Sequence, residues 1–146
     1  MKSPRHQARE AALQALYLWE VGGTDVATAL ATYFQEHRPD AAEPVRAFAR
    51  ALVIGTTSEI DALDALIQQH SEHWRIERLA VIDRLILRMA AWELKNATDT
   101  PPAVVLNEAL ELARTFSADD SVRFVNGVLD AIRKALAPDG APRPPT

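Results

Sequence analysis

Apolar residues recur at three- and four-residue steps along almost the whole chain, and strict alternation is nearly absent, so the pattern predicts helices throughout. The clearest case runs from Pro101 to Ile132. Val105, Ala109, Leu112, Ala113 and Phe116 form one stripe, and Val125, Val128, Leu129, Ile132 and Leu136 form another. Between them lies Ser117-Ala118-Asp119-Asp120-Ser121, whose side-chain oxygens are expected to accept from the free N–H groups that open the second helix. Asn107 and Glu108 interrupt the first stripe, and Asn126 and Gly127 the second. A glycine inside a helix costs about 1 kcal/mol relative to alanine, and polar groups beside a core need partners. The expected compensation is a close helix approach at Gly127, with Asn107, Glu108 and Asn126 joined in a buried polar cluster.

The same periodicity divides the rest of the chain. Ser3-Pro4 reads as a cap and first turn, and the helix it opens is expected to reach about Val21 and stop at Gly22-Gly23. Thr24 is expected to cap a second helix carrying Val26, Leu30, Tyr33 and Phe34, which ends before Pro39. Pro44 starts a third, with Val45, Phe48, Ala49, Leu52 and Val53 on one face, broken or bent at Gly55 to Ser58. Thr57 or Ser58 is expected to cap a fourth, built on Ile60, Leu63 and Ile67. Trp74 to Ala97 reads as one long helix, apolar on so many sides that both halves of the protein should touch it. Arg88 lies within it and, if buried, needs a partner, for which Glu108 or the Asn107 region is the natural choice. The fold expected is all-α, with about seven helices in two small bundles sharing a long central helix. It forms a single domain over 1–137, with an N-terminal half-bundle at about 4–72 and a C-terminal half at about 74–137. The segment 138–146 is expected to be a flexible proline-rich tail.

Composition narrows the function. No cysteine is present, which excludes disulfides and cysteine-based zinc sites. His70 and His73 lie three apart with no acidic or cysteine partner clearly placed, so no metal site is assigned. No phosphate-binding loop, dinucleotide fingerprint or H-E-x-x-H motif occurs, and pairs such as Asp61/Asp64 and Glu108/Glu111 read as solvated surface or internal clamps. No catalytic residue and no cofactor is expected; this reads as a binding protein rather than an enzyme. The N-terminus lacks an apolar signal core, and no window approaches the about 18 apolar residues of a membrane span, so a cytoplasmic protein is expected. The net charge of −4 argues against a general nucleic-acid coat, since non-specific affinity comes from phosphate neutralisation. Yet Lys2, Arg5 and Arg9, with His6 among them, make a local basic patch at the start of the first helix, where the helix dipole gives them no stabilising role.

Four fragments carry a resemblance: AREAALQALY at Ala8 to Tyr17, IDRLILRMAAWEL at Ile82 to Leu94, NEALELARTF from Asn107 and FVNGVLD from Phe124. In this order and at these separations they resemble the NusB family of bacterial transcription antitermination factors. The resemblance implies two small helical bundles sharing a long helix. It also implies an adaptor that pairs with the NusE ribosomal protein, binds the boxA element of nascent single-stranded RNA, and joins other Nus factors on RNA polymerase to suppress premature termination, notably in ribosomal RNA operons. The family's arginine-rich segment falls here on Arg5-His6-Gln7-Ala8-Arg9, where His6 and Gln7 replace further arginines; RNA affinity is then expected to be lower, or more dependent on pH and on the partner. The RNA contacts implied are Lys2, Arg5, His6, Arg9, Tyr17, Phe116, Asp120 and Arg123, with Tyr17 or Phe116 stacking on an unpaired base. Glu77, Asp83 and Phe124 are the expected protein-partner contacts. The resemblance leaves open a homodimer that hides the basic patch. One alternative is a helical protein-interaction module without RNA binding. Another is the detached RNA-binding domain of a ribosomal RNA methyltransferase, although this chain is expected to leave no room for a cofactor-binding α/β domain.

Overall fold

The computed structural model describes residues 2–97 and 99–137. The predicted tail at 138–146 lies outside them. Among the described residues there are seven α-helices and no strand. The chain divides into two compact units, Met1–Ser58 and Glu59–Thr146.

The first unit holds α1 (Pro4–Glu20), α2 (Val26–His37) and α3 (Glu43–Ser58), with α1 packed on both of the others. Ser3 caps α1 by accepting from the His6 backbone N–H, and Pro4 fills the first turn. Ala8, Ala11, Ala12 and Ala15 are buried along α1 beside Leu13 and Leu16; side chains this short let neighbouring helices come close. Asp25 caps α2, accepting from Thr28, where Thr24 was the expected cap; the Thr24 hydroxyl instead donates to the Leu18 carbonyl. Helix α3 continues through Gly55 to Ser58, and the Thr57 and Ser58 hydroxyls bond back to carbonyls of their own helix instead of capping the next one.

The second unit holds α4 (Ile60–His70), α5 (Val81–Asn96), α6 (Pro102–Phe116) and α7 (Asp119–Leu136). Helix α4 packs on α5 and α7, so the division falls after Ser58, whereas the apolar pattern had grouped α4 with the first three helices. A buried charge reinforces this packing. Arg88 on α5 is buried and donates from Nε and Nη2 to the two carboxylate oxygens of Asp64 on α4, at 2.7 and 2.9 Å. This fork-on-carboxylate pairing gives Arg88 a bidentate partner on α4, an acid that the sequence pattern had not linked to it. A second link joins the same helices. Glu59, at the start of α4, accepts from Trp92 Nε1, Lys95 Nζ and Asn96 Nδ2 at 3.1, 3.0 and 3.4 Å.

The long helix expected from Trp74 is shorter. Gln68 and Ser71 bind the Trp74 carbonyl, and Gln68 also accepts from the Ile76 N–H. These bonds hold the link in a turn, with a single 3-10 turn at Ile76–Arg78, and α5 begins at Val81. Leu85, Ile86, Leu87, Met89, Ala91 and Leu94 are all buried, which accords with a helix covered on most sides by α4, α6 and α7.

The α6–α7 pair has the predicted stripes except at their ends: Val105, Ala109, Leu112 and Ala113 face inward on one helix and Val125, Val128, Leu129 and Ile132 on the other, while Phe116 is half-buried and Leu136 exposed. Two details differ. Asn107, Asn126 and Gly127 are exposed and Glu108 is half-buried, so the expected buried polar cluster does not form. A Cβ added at Gly127 would meet nothing within 4 Å, so no neighbouring helix depends on its small size.

Gly127→Ala should therefore stabilise the protein by about 0.5–1 kcal/mol in urea unfolding, the ordinary gain at an unobstructed helix position. Glu59 offers a pH test. The hydrogen bond from Lys95, assisted by Trp92 and Asn96, holds its carboxyl below the ordinary value of 4.5. A depressed folded-state value adds stability above the unfolded-state value, and that stability is lost as pH falls through the acid range. Glu59→Gln should accordingly be less stable than the parent at pH 7, with the difference shrinking below about pH 4.5.

Candidate nucleic-acid interface

Helix α1 sorts the predicted cations by depth. Lys2 and Arg5 are exposed, His6 is half-buried, and Arg9 is only 2 % exposed. Arg5 and Arg9 are one helical turn apart, so both face α3 and meet the same ring: their guanidinium carbons lie 4.7 and 5.2 Å from the centroid of Phe48. Arg9 is thus part of the interior. A guanidinium so covered is not presented to a phosphate, and its expected role as a surface grip is corrected to one in packing. Arg5 keeps its charge outside while Phe48 supports its planar face.

The acid Glu10 organises the other side of this segment. It is 3 % exposed and accepts from Lys2 Nζ at 2.8 Å. His6 Nε2 and Arg38 Nη2 each approach it to 3.6 Å. Arg38, just past α2, also donates from Nη1 to Gln7 Oε1 at 3.3 Å. Tyr33 lies in the same neighbourhood; burial raises its phenol above the ordinary value, with Arg38 opposing. Tyr17 is 41 % exposed, which removes it from the apolar stripe that its spacing allowed. It follows His6 by eleven residues, close to three whole turns, and so lies on the same side of α1.

The remaining predicted residues lie in the second unit. Asp120 and Arg123 are exposed, and with Asp119 and Phe124 they line an open hollow of about 300 Å³ at the start of α7. Phe124 and Asp120 also border a second hollow of about 260 Å³ with Trp74, Arg78 and Leu79. Phe116 is half-buried at the last residue of α6. Glu77 is exposed on the 3-10 turn, 4.0 Å from Arg75.

Asp83 does not face a partner. It is buried and accepts from the Ser117 and Ser121 hydroxyls, one on each carboxylate oxygen, at 2.5 and 2.7 Å. Those hydroxyls were expected to cap α7, yet no side chain caps it, since Ala118 occupies the cap position and the two serines bond Asp83. The carboxylate thereby ties the α6–α7 turn to α5.

A family model described as the NusB family matches residues 6–134. The chain belongs to the NusB family. It is 43 % identical over 132 residues to a transcription antitermination protein NusB of Sorangium cellulosum (strain So ce56), covering 90 % of this chain and 93 % of the relative. Its fold is similar to that of T. maritima NusB, with a TM-score of 0.84, 34 % identity, and 94 and 96 % of the two chains covered. It is also similar to a chain from a crystal structure of the antitermination factors NusB and NusE in complex with double-stranded RNA, with a TM-score of 0.84, 28 % identity, and 92 and 99 % covered.

Within this member of the NusB family, the roles of three side chains have no counterpart in the sequence pattern. Phe48 fits an apolar stripe, and only the packing of α1 on α3 puts it beneath two arginines. Trp74, 55 % exposed, falls by spacing inside a buried helix. Arg38 carries no signal at all, since its partners lie about thirty residues away on α1. The Arg5–Phe48 contact is testable by itself. A double-mutant cycle of Arg5→Ala and Phe48→Leu in urea unfolding should return a coupling of about 0.5–1 kcal/mol; additive effects would mean that the ring does not support the guanidinium.

Proposed function

We propose that this chain is a non-catalytic, cytoplasmic RNA-binding adaptor in transcription antitermination. It pairs with the NusE ribosomal protein, binds boxA-type single-stranded RNA, and joins other Nus factors and RNA polymerase to suppress premature termination in ribosomal RNA operons. Two kinds of observation support this reading. The first is membership of a family whose relatives are named transcription antitermination proteins, together with likeness to a NusB chain crystallised with NusE and RNA. The second, which carries the assignment to particular atoms, is the exposed cationic start of α1. Lys2 and Arg5 stand in solvent there, and Tyr17 is uncovered farther along the same helix.

The physical roles follow from exposure. Arg5 and Lys2 neutralise phosphates, and Tyr17 offers a ring on which an unpaired base stacks. In the second unit Arg123 supplies a further cation beside Asp120 and Phe124. Exposed Glu77 and half-buried Phe124 are the contacts left for a protein partner once Asp83 is withdrawn into the α6–α7 turn. With so few phosphates neutralised, affinity is modest and the salt dependence shallow. Binding is therefore strengthened by a partner that completes the RNA surface.

Titration of a labelled boxA-like RNA oligonucleotide, with and without NusE and against a scrambled oligonucleotide, tests this reading. Lys2→Ala with Arg5→Ala should weaken binding and flatten the plot of log K against log salt by about 0.7 for each phosphate that is no longer neutralised, with helicity unchanged. RNA affinity that is equal for the boxA-like and scrambled strands and indifferent to the double variant would favour a protein-interaction module without an RNA role.

A further inference from the structure

We infer that Arg38, from the segment after α2, is a phosphate-binding residue that acts beside Lys2 and supplies a charge that the α1 segment lacks at His6 and Gln7. The inference rests on the RNA-binding reading above.

The charge balance around Glu10 carries it. That carboxylate is buried, and a buried charge needs a counter-ion. Lys2 meets the need with a direct bond at 2.8 Å. Arg38 Nη2, at 3.6 Å, lies beyond hydrogen-bonding distance, so it adds a second full positive charge near one negative one. An arginine stays protonated at any working pH, so the surplus is permanent. The side chain is 36 % exposed and Lys2 54 %, so the excess charge faces water instead of being absorbed by the core.

The guanidinium is also held in place. Gln7 Oε1 takes one Nη1 donor and the Tyr33 hydroxyl bonds the same guanidinium, which leaves the other donors of a five-donor fork for another acceptor. The backbone beneath it is fixed by Arg46, which donates to the carbonyls of Arg38, Pro39 and Ala41 while its own guanidinium lies 4.8 Å from the Phe34 ring centroid. A loop pinned through three carbonyls loses little freedom when it takes up a ligand. An ordered, solvent-facing guanidinium that shares Glu10 with the exposed Lys2 is suited to a phosphate oxygen, which arginine binds through two parallel N–H donors. Gln7 contributes because its amide oxygen accepts from Arg38; a cation at that position would repel it.

The test uses the full-length protein and a labelled boxA-like RNA oligonucleotide, comparing Arg38→Gln, Arg38→Lys and Arg5→Ala with the parent across a salt series. Glutamine removes the charge and leaves a shorter polar side chain; circular dichroism and melting check the fold. Arg38→Gln should weaken binding by about three- to tenfold and reduce the salt slope by about 0.7, with Arg38→Lys restoring most of both. If Arg38→Gln leaves affinity and slope at parental values while Arg5→Ala lowers them, Arg38 is only a counter-ion for Glu10 and the inference fails with the RNA reading intact. If Arg5→Ala also changes nothing, the RNA reading fails first and this inference falls with it. Should Arg38→Gln unfold, the double variant Glu10→Gln with Arg38→Gln, which needs no counter-ion, is compared with Glu10→Gln alone: weaker binding and a lower salt slope in the double variant support the inference, and equal values overturn it.

Discussion

A carboxylate taken out of water constrains everything around it, and in the first unit that carboxylate is Glu10. An ionised side chain in an alanine-lined interior is tolerable only if cations come to it, and they come from two directions, Lys2 from the chain start and Arg38 from the end of α2. The buried charge therefore does more than satisfy itself. It gathers positive groups at one end of α1 and fixes their geometry, and because it can neutralise only one of them fully, it leaves that end cationic on a chain whose overall charge is negative. The local excess is a consequence of packing rather than of composition.

The second unit uses the same rule with different partners. Arg88 is turned inward from α5, and Asp64 meets it from α4 with both oxygens. Asp83, also inward on α5, holds the two hydroxyls that flank the start of α7. Helix α5 carries Asp83, Arg88 and Glu93 into the interior, and the first two are matched by different neighbouring elements. Apolar burial brings α4, α6 and α7 against α5, while these directional bonds define the register in which they sit. The turn between α6 and α7 leads directly into Asp120, Arg123 and Phe124, so the Asp83 contacts place the hollow that those side chains line.

An aromatic ring performs the equivalent service for Arg5. Phe48 lies beneath two guanidinium groups, one in solvent and one enclosed. The enclosed Arg9 adds cohesion between α1 and α3; the exposed Arg5 gains a preferred orientation without losing access to solvent. Two arginines one turn apart on one helix thus do different work, and depth alone separates them.

Helix periodicity, caps and the ordered family fragments are local properties, so the sequence by itself determined the helical class, the seven segments, the family and the inward faces of α6 and α7. Burial and pairing of charges belong to no single segment. Arg9 and Arg5 have the same type and share a helical face, and only the approach of α3 distinguishes them. Arg88 could have paired with any acid in reach, and Asp64 meets it because α4 packs against α5. Arg38 stands thirty-one positions from Gln7, and Asp83 thirty-four from Ser117. Such pairs form only when chain-distant helices meet, and a contact of that kind leaves no periodic mark in the sequence; tertiary structure alone decided which charges went inside and which remained available to a ligand.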